Sequence, residues 1–324
     1  MTDHHDLITY KRPNRDRWLE LRKTCVPSTE LAPICGIPTY GNTRFGLWHQ
    51  HAGLSEDTFE GNERTDAGLA LEPAIAKLVA KRIDARVMRL PHFFVRGSMG
   101  CSCDYEITDG DLAEWLCEIK NVDGFVFRDD WTEDDEGRVI APEHIEIQVQ
   151  GELEVTRRPG CLLAALVGGN SLKFVKIWRK PEFGASLRTI ADQFLRAVKE
   201  GVRPDPTGDD ASLVAQLYTD VDPDHTWDAT SDEQMSFSLA QYFALGSRIK
   251  ADEERRKEIK ANMLLEIGDA SKVFGMDGYR LDAGYTKGKA PSQITEDMVG
   301  QEIGGRRGFR RFVVRRPKGL EEAK

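Results

Sequence analysis

Three residues of the sequence have the types and the spacing that metal-assisted hydrolysis requires. Asp104 ends an apolar run, a polar turn follows, and Glu118 and Lys120 lie in a second short run at 115–120. If that run is a strand, Glu118 and Lys120 point to the same face, because side chains alternate along a strand. A hairpin between the two runs would place Asp104 beside Glu118. Two neighbouring carboxylates favour a hard cation such as Mg²⁺, and a lysine beside them suits hydrolysis of a phosphodiester.

The same spacing also has a purely structural interpretation. Charged residues make up 31% of the chain, so an aspartate, a glutamate and a lysine at these separations can occur by chance. Glu118 and Lys120 would then form the solvent-exposed face of an edge strand, because charged side chains are mostly exposed. The choice between the two interpretations depends on the segments that surround these residues.

Helices are predicted for most of the chain that precedes these runs. They lie at 13–24, at 27–36 with Ser28 or Thr29 as the N-cap, at 42–54 and at 62–81. The apolar stripe of the last helix is formed by Leu71, Ile75, Leu78 and Val79. Glu72 falls about one position off that stripe, so we expect it at the rim of a groove that faces the core.

The middle of the chain changes to strand-like patterns. Strands are predicted at 86–95, 97–107, 114–121 and 172–179. Two further helices are predicted at 144–156 and 183–200, and Pro142 with Glu143 favours the start of the first. This order of elements predicts an α/β fold in which a mixed central sheet is flanked by helices.

The end of the chain is predicted to form a separate extension. Residues 201–212 are rich in turn-forming residues, which divides the chain into a core at 1–204 and an extension at 205–324. Residues 231–267 are charged and have helical spacing, which predicts a helical hairpin or a helical arm. A β-hairpin is expected at Asp277 and Gly278, and residues 309–316 are predicted to form a basic strand.

The composition is that of an ordinary globular protein of 324 residues, of which 40% are hydrophobic. No apolar run approaches the roughly 18 residues that cross a bilayer, and residues 1–16 lack an apolar signal-like segment. We therefore expect a cytoplasmic location without membrane contact. The six cysteines are then expected to be reduced thiols, buried or half-buried in strands, rather than metal ligands.

The net charge of −9 does not exclude a nucleic-acid partner, because binding depends on local positive potential. Basic residues cluster at 11–23 and at 306–318, and acidic residues are concentrated between these clusters. This distribution is compatible both with DNA binding and with surface charge that serves solubility.

Four short motifs follow one another along residues 10–182. They are WLELR at 18–22 followed by Thr29 and Glu30, GLALE at 68–72, Asp104 with Glu118-Ile119-Lys120, and QVQ at 148–150 with the strands after it. Together they resemble the lambda-exonuclease-like, YqaJ-type recombination exonucleases of the PD-(D/E)xK nuclease superfamily. Their common order and spacing favour the catalytic interpretation and a restriction-endonuclease-like core.

The resemblance implies a role for each residue of the site. Asp104 and Glu118 would hold one or two Mg²⁺ ions, for which Mn²⁺ is expected to substitute. Glu72 would be a further or water-mediated ligand, and the backbone carbonyl of Ile119 would contribute as well. Lys120 would position or help to deprotonate the attacking water and stabilise developing negative charge. Gln150 would contact the metal-bound water or the lysine, with Gln148 as the alternative.

The resemblance also implies how the DNA end is bound. Arg22 and Thr29 would receive the phosphate at the 5′ end, since a guanidinium matches phosphate oxygens well, and Gln148 is expected with them among the residues that bind phosphate or DNA. The alternative for Arg22 is a salt bridge on the helix surface, and for Glu72 and Gln150 it is a capping or surface role. Two features depart from the family pattern: Tyr105 follows the aspartate where glycine is usual, and residues 26–30 replace a turn of small residues.

For the whole protein, the resemblance implies a Mg²⁺-dependent exonuclease that degrades double-stranded DNA from its ends, 5′→3′, and leaves 3′ single strands for recombination. It also implies a homo-oligomeric ring around the DNA and a single-strand annealing protein as partner. The alternatives are an endonuclease of the same superfamily, a Cas4-like processing nuclease, and a non-catalytic DNA-binding recombination protein. The Cas4-like nucleases usually carry three cysteines near the C-terminus, whereas the last cysteine here is Cys161.

Overall fold

The computed structural model describes residues 6–11, 13–55, 61–133, 136, 138–274 and 280–284. The chain divides into two compact units, Met1–Leu217 and Tyr218–Lys324. Every buried hydrophobic side chain among the described residues lies in the first unit, between Leu21 and Phe194. No described helix is both long enough and apolar enough to cross a membrane. The first unit therefore contains the core that positions the candidate site.

A mixed five-stranded sheet forms the centre of the first unit. The strands of this unit are β1 (Ile8–Lys11), β2 (Val26–Pro27), β3 (Val87–Arg89), β4 (His92–Arg96), β5 (Met99–Cys101), β6 (Tyr105–Ile107), β7 (Leu116–Val122), β8 (Thr132–Glu133), β9 (Val139–Ile140), β10 (Gly160–Val167) and β11 (Ser171–Trp178). The central sheet has the order β11-β10-β7-β6-β3. Its middle strand, β7, pairs in parallel with β10 and antiparallel with β6. The strand that carries Glu118 and Lys120 is thus held on both sides.

Helices cover both faces of this sheet. The helices of the first unit are α1 (Arg15–Thr24), α2 (Leu31–Ile34), α3 (Arg44–His51), α4 (Glu63–Ile83), α5 (Gly124–Asp130), α6 (Glu143–Thr156), α7 (Pro181–Glu200) and α8 (Ala211–Leu217). On one face, α4 packs against the sheet through a core that contains Ile75 and Val79. On the other face, α6 and α7 contribute Leu153 and Phe194 to a larger core. This arrangement confirms the predicted α/β fold class.

A second, four-stranded sheet with the order β1-β4-β5-β2 was not predicted. The predictions of one strand at 86–95 and one at 97–107 were wrong, because each of these segments is divided between the two sheets. β3 and β6 belong to the five-stranded sheet, whereas β4 and β5 belong to the four-stranded one. Pro91 separates β3 from β4, since proline lacks the N–H that a continuous ladder needs. The second break leaves Asp104 immediately before β6.

The buried stripe of α4 differs from the predicted one. Ile75, Ala76 and Val79 are the buried residues of this helix. Leu71 and Leu78, which were expected in the core, are 39% and 48% exposed. Glu72 precedes Ile75, Ala76 and Val79 by three, four and seven residues, so it lies on the buried face itself. The prediction failed because alanine and leucine alternate along this helix, and two stripes fit the pattern almost equally well.

The helix α6 passes between the sheet and the N-terminal segment, and a glycine sets how closely the two approach. Pro142 is the N-cap residue of α6, as its sequence predicted. A 3-10 turn at Ser28–Glu30 and the short helix α2 pack against its middle. A methyl group at Gly151 would lie 2.3 Å from Leu31 Cδ1, which is far inside van der Waals contact. Only glycine therefore allows the present distance between α6 and the N-terminal segment.

The segment after α7 belongs to the first unit as far as Leu217. The sequence placed the boundary after residue 204, in the turn-rich stretch. The structure instead shows a capping box in which Thr207 and Asp210 bond each other reciprocally. Asp210 also accepts a hydrogen bond from the buried hydroxyl of Thr43, the N-cap residue of α3. These contacts tie residues 207–217 to the core.

The second unit contains one long helix and a strand pair among its described residues. The segment predicted as a helical hairpin or arm is a single helix, α9 (Glu233–Ile267), which begins at the N-cap Asp232. None of its residues is buried. Two strands, β12 (Lys272–Phe274) and β13 (Arg280–Asp282), pair antiparallel, as expected for the hairpin around Asp277 and Gly278. The turn of that hairpin and the predicted basic strand at 309–316 lie outside the described residues.

Candidate active site

Asp104 and Glu118 meet as the sequence predicted, across an antiparallel pair of strands. Tyr105 lies opposite Cys117 in the β6–β7 register, which places Asp104 opposite Glu118 at the end of β6. The Asp104 Oδ2 accepts a hydrogen bond of 2.9 Å from the backbone N–H of Ile119. The aspartate is therefore fixed against β7 by the backbone of the residue that separates Glu118 from Lys120.

Lys120 is held between a carboxylate and a carboxamide. Its ammonium group lies 2.8 Å from Glu118 Oε1 and donates a second hydrogen bond of 3.3 Å to Gln148 Oε1. The Lys120 side chain is 26% exposed, whereas that of Glu118 is 4% exposed. Burial by itself would lower the pKa of Lys120, but the charges of Glu118 and Asp104 outweigh burial and raise it. The charged ammonium is thus the favoured form.

The glutamine in contact with these residues is Gln148, not Gln150. The Gln148 Nε2 donates hydrogen bonds of 2.9 Å to Glu118 and to Glu152. The carboxamide of Gln150 instead bonds the backbone, with Nε2 donating to Trp178 O and Oε1 accepting from Lys180 N. The contact with Lys120 that was expected first of Gln150 is therefore made by the residue named as the alternative. Because Gln148 and Gln150 are two residues apart on α6, their side chains point in directions about 200° apart around the helix axis.

Glu152 is a site residue that the sequence reasoning missed. It lies one turn after Gln148 on α6, its side chain is fully buried, and its Oε1 accepts from Gln148 at 2.9 Å. Ser28 Oγ donates a longer hydrogen bond of 3.4 Å to the same oxygen. The four-residue spacing from Gln148 was the available signal, since residues i and i+4 share a helix face. The segment QGELE gave no reason to place this glutamate inside the core.

Negative charge exceeds positive charge at this site. The pKa values of Asp104 and Glu152 are both raised well above the ordinary carboxyl range, first by burial and then by the charge of Glu118. Glu118 Oε2 and Glu152 Oε2 are buried without a hydrogen-bond partner among the described residues. A buried carboxylate oxygen without a donor is energetically costly, so the site is suited to a proton or a cation.

The donor set fits a hard divalent cation, although the described side chains do not already surround one. Carboxylate and backbone carbonyl oxygens are the ligands that Mg²⁺ prefers, and the free Oε2 of Glu118 supplies one of them. No three acidic, histidine or cysteine side chains among the described residues converge as a preformed cage. Lys120 lies against the other oxygen of Glu118. The chemistry of these oxygen donors thus fits the ion.

Glu72 lies on α4, which covers the face of the sheet opposite the Glu118 side chain, and its charge acts on Asp104. Its carboxylate is 3.6 Å from the guanidinium of Arg89 on β3. The negative charge of Glu72 contributes to the raised pKa of Asp104, after burial and Glu118. Tyr105, the residue found where glycine is usual in the resembling family, is 5% exposed beside them. Burial raises the pKa of its hydroxyl, and Glu72 raises it further.

Arg22 forms a salt bridge, as its alternative interpretation expected, within a partly buried charged cluster. Its guanidinium lies 2.5 Å from Glu30 Oε1, and the other oxygen of Glu30 lies 2.7 Å from His51 Nε2. The guanidinium also stacks on the ring of Trp18, 4.5 Å from the ring centroid. The side chain keeps 21% of its surface exposed, and the neighbouring Thr29 is exposed. A partly open, rigidly held arginine is compatible with an anionic ligand.

The six cysteines were predicted to be buried or half-buried in strands. Cys35 is half-buried and the other five are buried, which confirms the predicted burial. Their placement in strands was wrong for Cys25 and Cys35, which follow α1 and α2, and for Cys103, which lies between β5 and β6. Burial raises the pKa of the Cys25 thiol to about 12 and also raises that of Cys117. Thiols of this kind are inert.

Comparison with known proteins agrees with the resemblance drawn from the motifs. Residues 17–159 match the sequence model of the YqaJ-like viral recombinase domain. The chain is also similar to the crystal structure of an alkaline exonuclease (LHK-Exo) from Laribacter hongkongensis. That likeness has 18% identity and a TM-score of 0.47, and covers 57% of this chain and 93% of the other.

A second similar structure is a phage-related exonuclease from Haemophilus somnus 129PT, with 13% identity and a TM-score of 0.42 over 57% of this chain and 98% of the other. No curated protein sequence matches the chain. The matched segment contains Arg22, Glu72, Asp104, Glu118, Lys120 and Gln148. Residues 17–159 of this chain are therefore similar to the YqaJ-like viral recombinase domain.

Proposed function

We propose that the protein is a phage-type, metal-dependent exonuclease that degrades double-stranded DNA from its ends. The observation that carries this proposal is the hydrogen-bonded group of Glu118, Lys120 and Gln148 beside Asp104, within a segment similar to a viral recombinase domain. Paired carboxylates beside a lysine suit metal-assisted cleavage of a phosphodiester, because the reaction develops negative charge on the phosphate oxygens.

Asp104, Glu118 and the backbone carbonyl of Ile119 would hold Mg²⁺ or Mn²⁺, with Glu72 as a further or water-mediated ligand. The bound ion would activate a water molecule and neutralise charge on the phosphate. Support for this ligand set comes from the Oε2 of Glu118, which is buried without a hydrogen-bond partner among the described residues.

Lys120 would act as a charged donor at the reacting phosphate. Its raised pKa favours the ammonium form, which stabilises developing negative charge and positions the attacking water rather than removing its proton. The carboxamide oxygen of Gln148 limits the positions of that ammonium group. Gln150 has no part in this proposal, because its hydrogen bonds are made to the backbone of Trp178 and Lys180.

The DNA end would be received by Arg22 and Thr29. Arg22 has a fixed orientation through Glu30 and Trp18 and keeps an exposed edge, so it could contact a terminal 5′ phosphate. This placement supports digestion in the 5′→3′ direction, which would leave 3′ single strands for a single-strand annealing protein. A homo-oligomeric ring around the duplex in the host cytoplasm completes the proposal. Binding through phosphates would weaken steeply as salt concentration rises.

Two alternative functions differ from the proposed exonuclease in the DNA end or the residues that they require. An endonuclease of the same superfamily would use the same residues but would not need a DNA end. A non-catalytic DNA-binding protein would not need Asp104, Glu118 and Lys120 together. The release of nucleotides from linear and from closed circular duplex DNA separates these functions when it is measured with Mg²⁺ and with a chelator.

For an exonuclease, we expect Mg²⁺-dependent nucleotide release from the linear duplex and none from the circle. Glu118→Gln should lower that release at least 100-fold, because it removes a metal ligand and the partner of Lys120. Equal cleavage of the circle would favour the endonuclease. An inactive wild type that Glu118→Gln does not change would favour the binding protein.

A further inference from the structure

Glu152 is a fully buried carboxylate that accepts hydrogen bonds from Gln148 and Ser28. Its Oε2 is buried without a hydrogen-bond partner among the described residues. A buried carboxylate is costly and contributes nothing to apolar packing. The residue is therefore better explained by what it does to its neighbours than by the stability of α6.

The two carboxylates beside Gln148 determine which way its carboxamide faces. Both Nε2 hydrogens have an acceptor, one in Glu118 Oε1 and one in Glu152 Oε1, each at 2.9 Å. The carboxamide oxygen is then left to accept from the Lys120 ammonium at 3.3 Å. In the reversed orientation that oxygen would face two carboxylates, and the amide hydrogens would face a cation. In the described orientation, each carboxylate faces an amide hydrogen of Gln148, and the Lys120 ammonium faces the carboxamide oxygen.

Glu118 and Glu152 hold Gln148 from different elements. Glu118 belongs to β7, and its oxygens are also needed for Lys120. Glu152 belongs to α6, four residues after Gln148, so its position relative to the glutamine is set by the helix alone. Glu152 can therefore keep the Gln148 carboxamide in place while the oxygens of Glu118 bind Lys120 or the proposed metal ion.

We propose that Glu152 is a positioning residue that fixes the Gln148 carboxamide, so that its oxygen remains directed at the Lys120 ammonium. The proposal rests on the proposed function, because it assigns Glu152 a part in that reaction without contact with the substrate. What the reaction requires of Glu152 is a hydrogen-bond acceptor for Gln148 Nε2.

The first experiment compares three substitutions on α6 in Mg²⁺-dependent nucleotide release from linear duplex DNA. Glu152→Gln keeps an acceptor oxygen, and we expect kcat within about threefold of wild type. Glu152→Met has a similar size without a strong acceptor, and we expect kcat to fall about tenfold with an unchanged KM for DNA, within the range typical of supporting residues. Glu146→Gln changes the same charge on the exposed part of α6, where Glu146 pairs with Lys180, and should match wild type.

The second experiment tests whether Glu152 acts through Gln148. In the double variant Gln148→Met/Glu152→Met, we expect kcat to equal that of Gln148→Met alone, because the residue that Glu152 positions is then absent. A further loss of fivefold or more in the double variant would overturn the proposal. The proposal would also be overturned if Glu152→Gln lowered kcat as much as Glu152→Met and required a higher Mg²⁺ concentration. Glu152 would then be a metal ligand.

A third measurement does not depend on catalysis. In the nuclear magnetic resonance spectrum of the full chain, the side-chain amide hydrogens of Gln148 should exchange slowly with water in wild type and in Glu152→Gln. They should exchange much faster in Glu152→Met, and equal rates in all three proteins would contradict the proposal. If the wild type releases no nucleotides, the proposed function fails, whereas this measurement still decides the position of the carboxamide.

Discussion

Gln148 and Gln150 are identical side chains two positions apart, and their surroundings give them unrelated tasks. Gln148 bonds three charged side chains of the candidate site. Gln150 is fully buried and satisfies the backbone groups of Trp178 and Lys180, which connect β11 to α7. Substitution of each residue should therefore affect a different property of the protein.

Gln148→Ala is expected to lower kcat by about 10- to 100-fold, because a supporting group of the proposed reaction is lost. Gln150→Ala is expected to lower the free energy of unfolding by about 1–3 kcal/mol, because two buried backbone groups lose their partners. Chemical denaturation and nucleotide release, measured on both variants, check the two outcomes. The reverse assignment of effects would contradict the geometry described for α6.

The residues of the site differ in how far the sequence could predict them. Asp104, Glu118 and Lys120 could be paired from strand alternation and one polar turn, because both features are local. The choice between Gln148 and Gln150 could not be made, since it depends on how α6 is rotated against the sheet. Glu152 could not be recognised either, because a glutamate among polar helix residues normally faces solvent. Rotation of a helix is set by packing of distant elements, which single-sequence patterns do not contain.

At the scale of elements, two mid-helix glycines are expected to respond in opposite ways to the same substitution. Gly68 in α4 has open space where a methyl group would lie, whereas at Gly151 in α6 that group would meet Leu31. Gly68→Ala should stabilise the protein by about 0.5–1 kcal/mol through helix propensity. Gly151→Ala should destabilise it by about 1–3 kcal/mol through overpacking. Thermal unfolding of the two variants provides the comparison, and a stabilised Gly151→Ala would contradict the close approach of α2.

The contact between Asp210 and Thr43 makes stability depend on pH. Burial alone would raise the pKa of Asp210, but the hydrogen bonds from Thr43 and Thr207 outweigh burial and lower it. A carboxyl group whose pKa is lower in the folded state stabilises the fold above its unfolded value of about 3.9. That contribution is lost as the pH falls from about 4 through the folded value.

We therefore expect Asp210→Asn to unfold about 1–3 kcal/mol more easily than wild type at pH 7. The difference should shrink as the pH falls below about 4, since the wild-type carboxyl group is then protonated. The exposed neighbour supplies the matched control, because Asp209→Asn removes the same charge without the contact to Thr43. Denaturant unfolding at several pH values measures both variants, and a difference that grows in acid would be inconsistent with the described contacts.

At the scale of the whole molecule, the buried core and the candidate site both lie in the first unit. The fragment 1–217 is therefore expected to fold cooperatively and to retain Mg²⁺-dependent nucleotide release. It ends after α8, where the first unit ends, rather than after residue 204, where the contact of Asp210 would be lost. Circular dichroism during heating and the linear-duplex assay check this expectation. An unfolded or inactive fragment would show that the second unit contributes to the core or the site.

The second unit presents apolar side chains along α9 without burying them. Leu239, Phe243, Ile249 and Ile259 are between 36% and 58% exposed. Single exposed apolar residues of this kind are common on folded proteins.

The fold class was predictable because the core elements have clear periodicity. The helical arm was only partly predictable, since its sequence is compatible with one helix or two.

The parallel pairing of β7 with β10 has a consequence for protein synthesis. The family match ends at residue 159, immediately before β10 begins at Gly160. A chain cut at that limit, or a nascent chain of that length on the ribosome, would leave β7 as an open edge next to Glu118 and Lys120. Such an edge is a template for aggregation. The strand that carries Glu118 and Lys120 can thus be paired on both of its sides only after residues 160–167 have been translated.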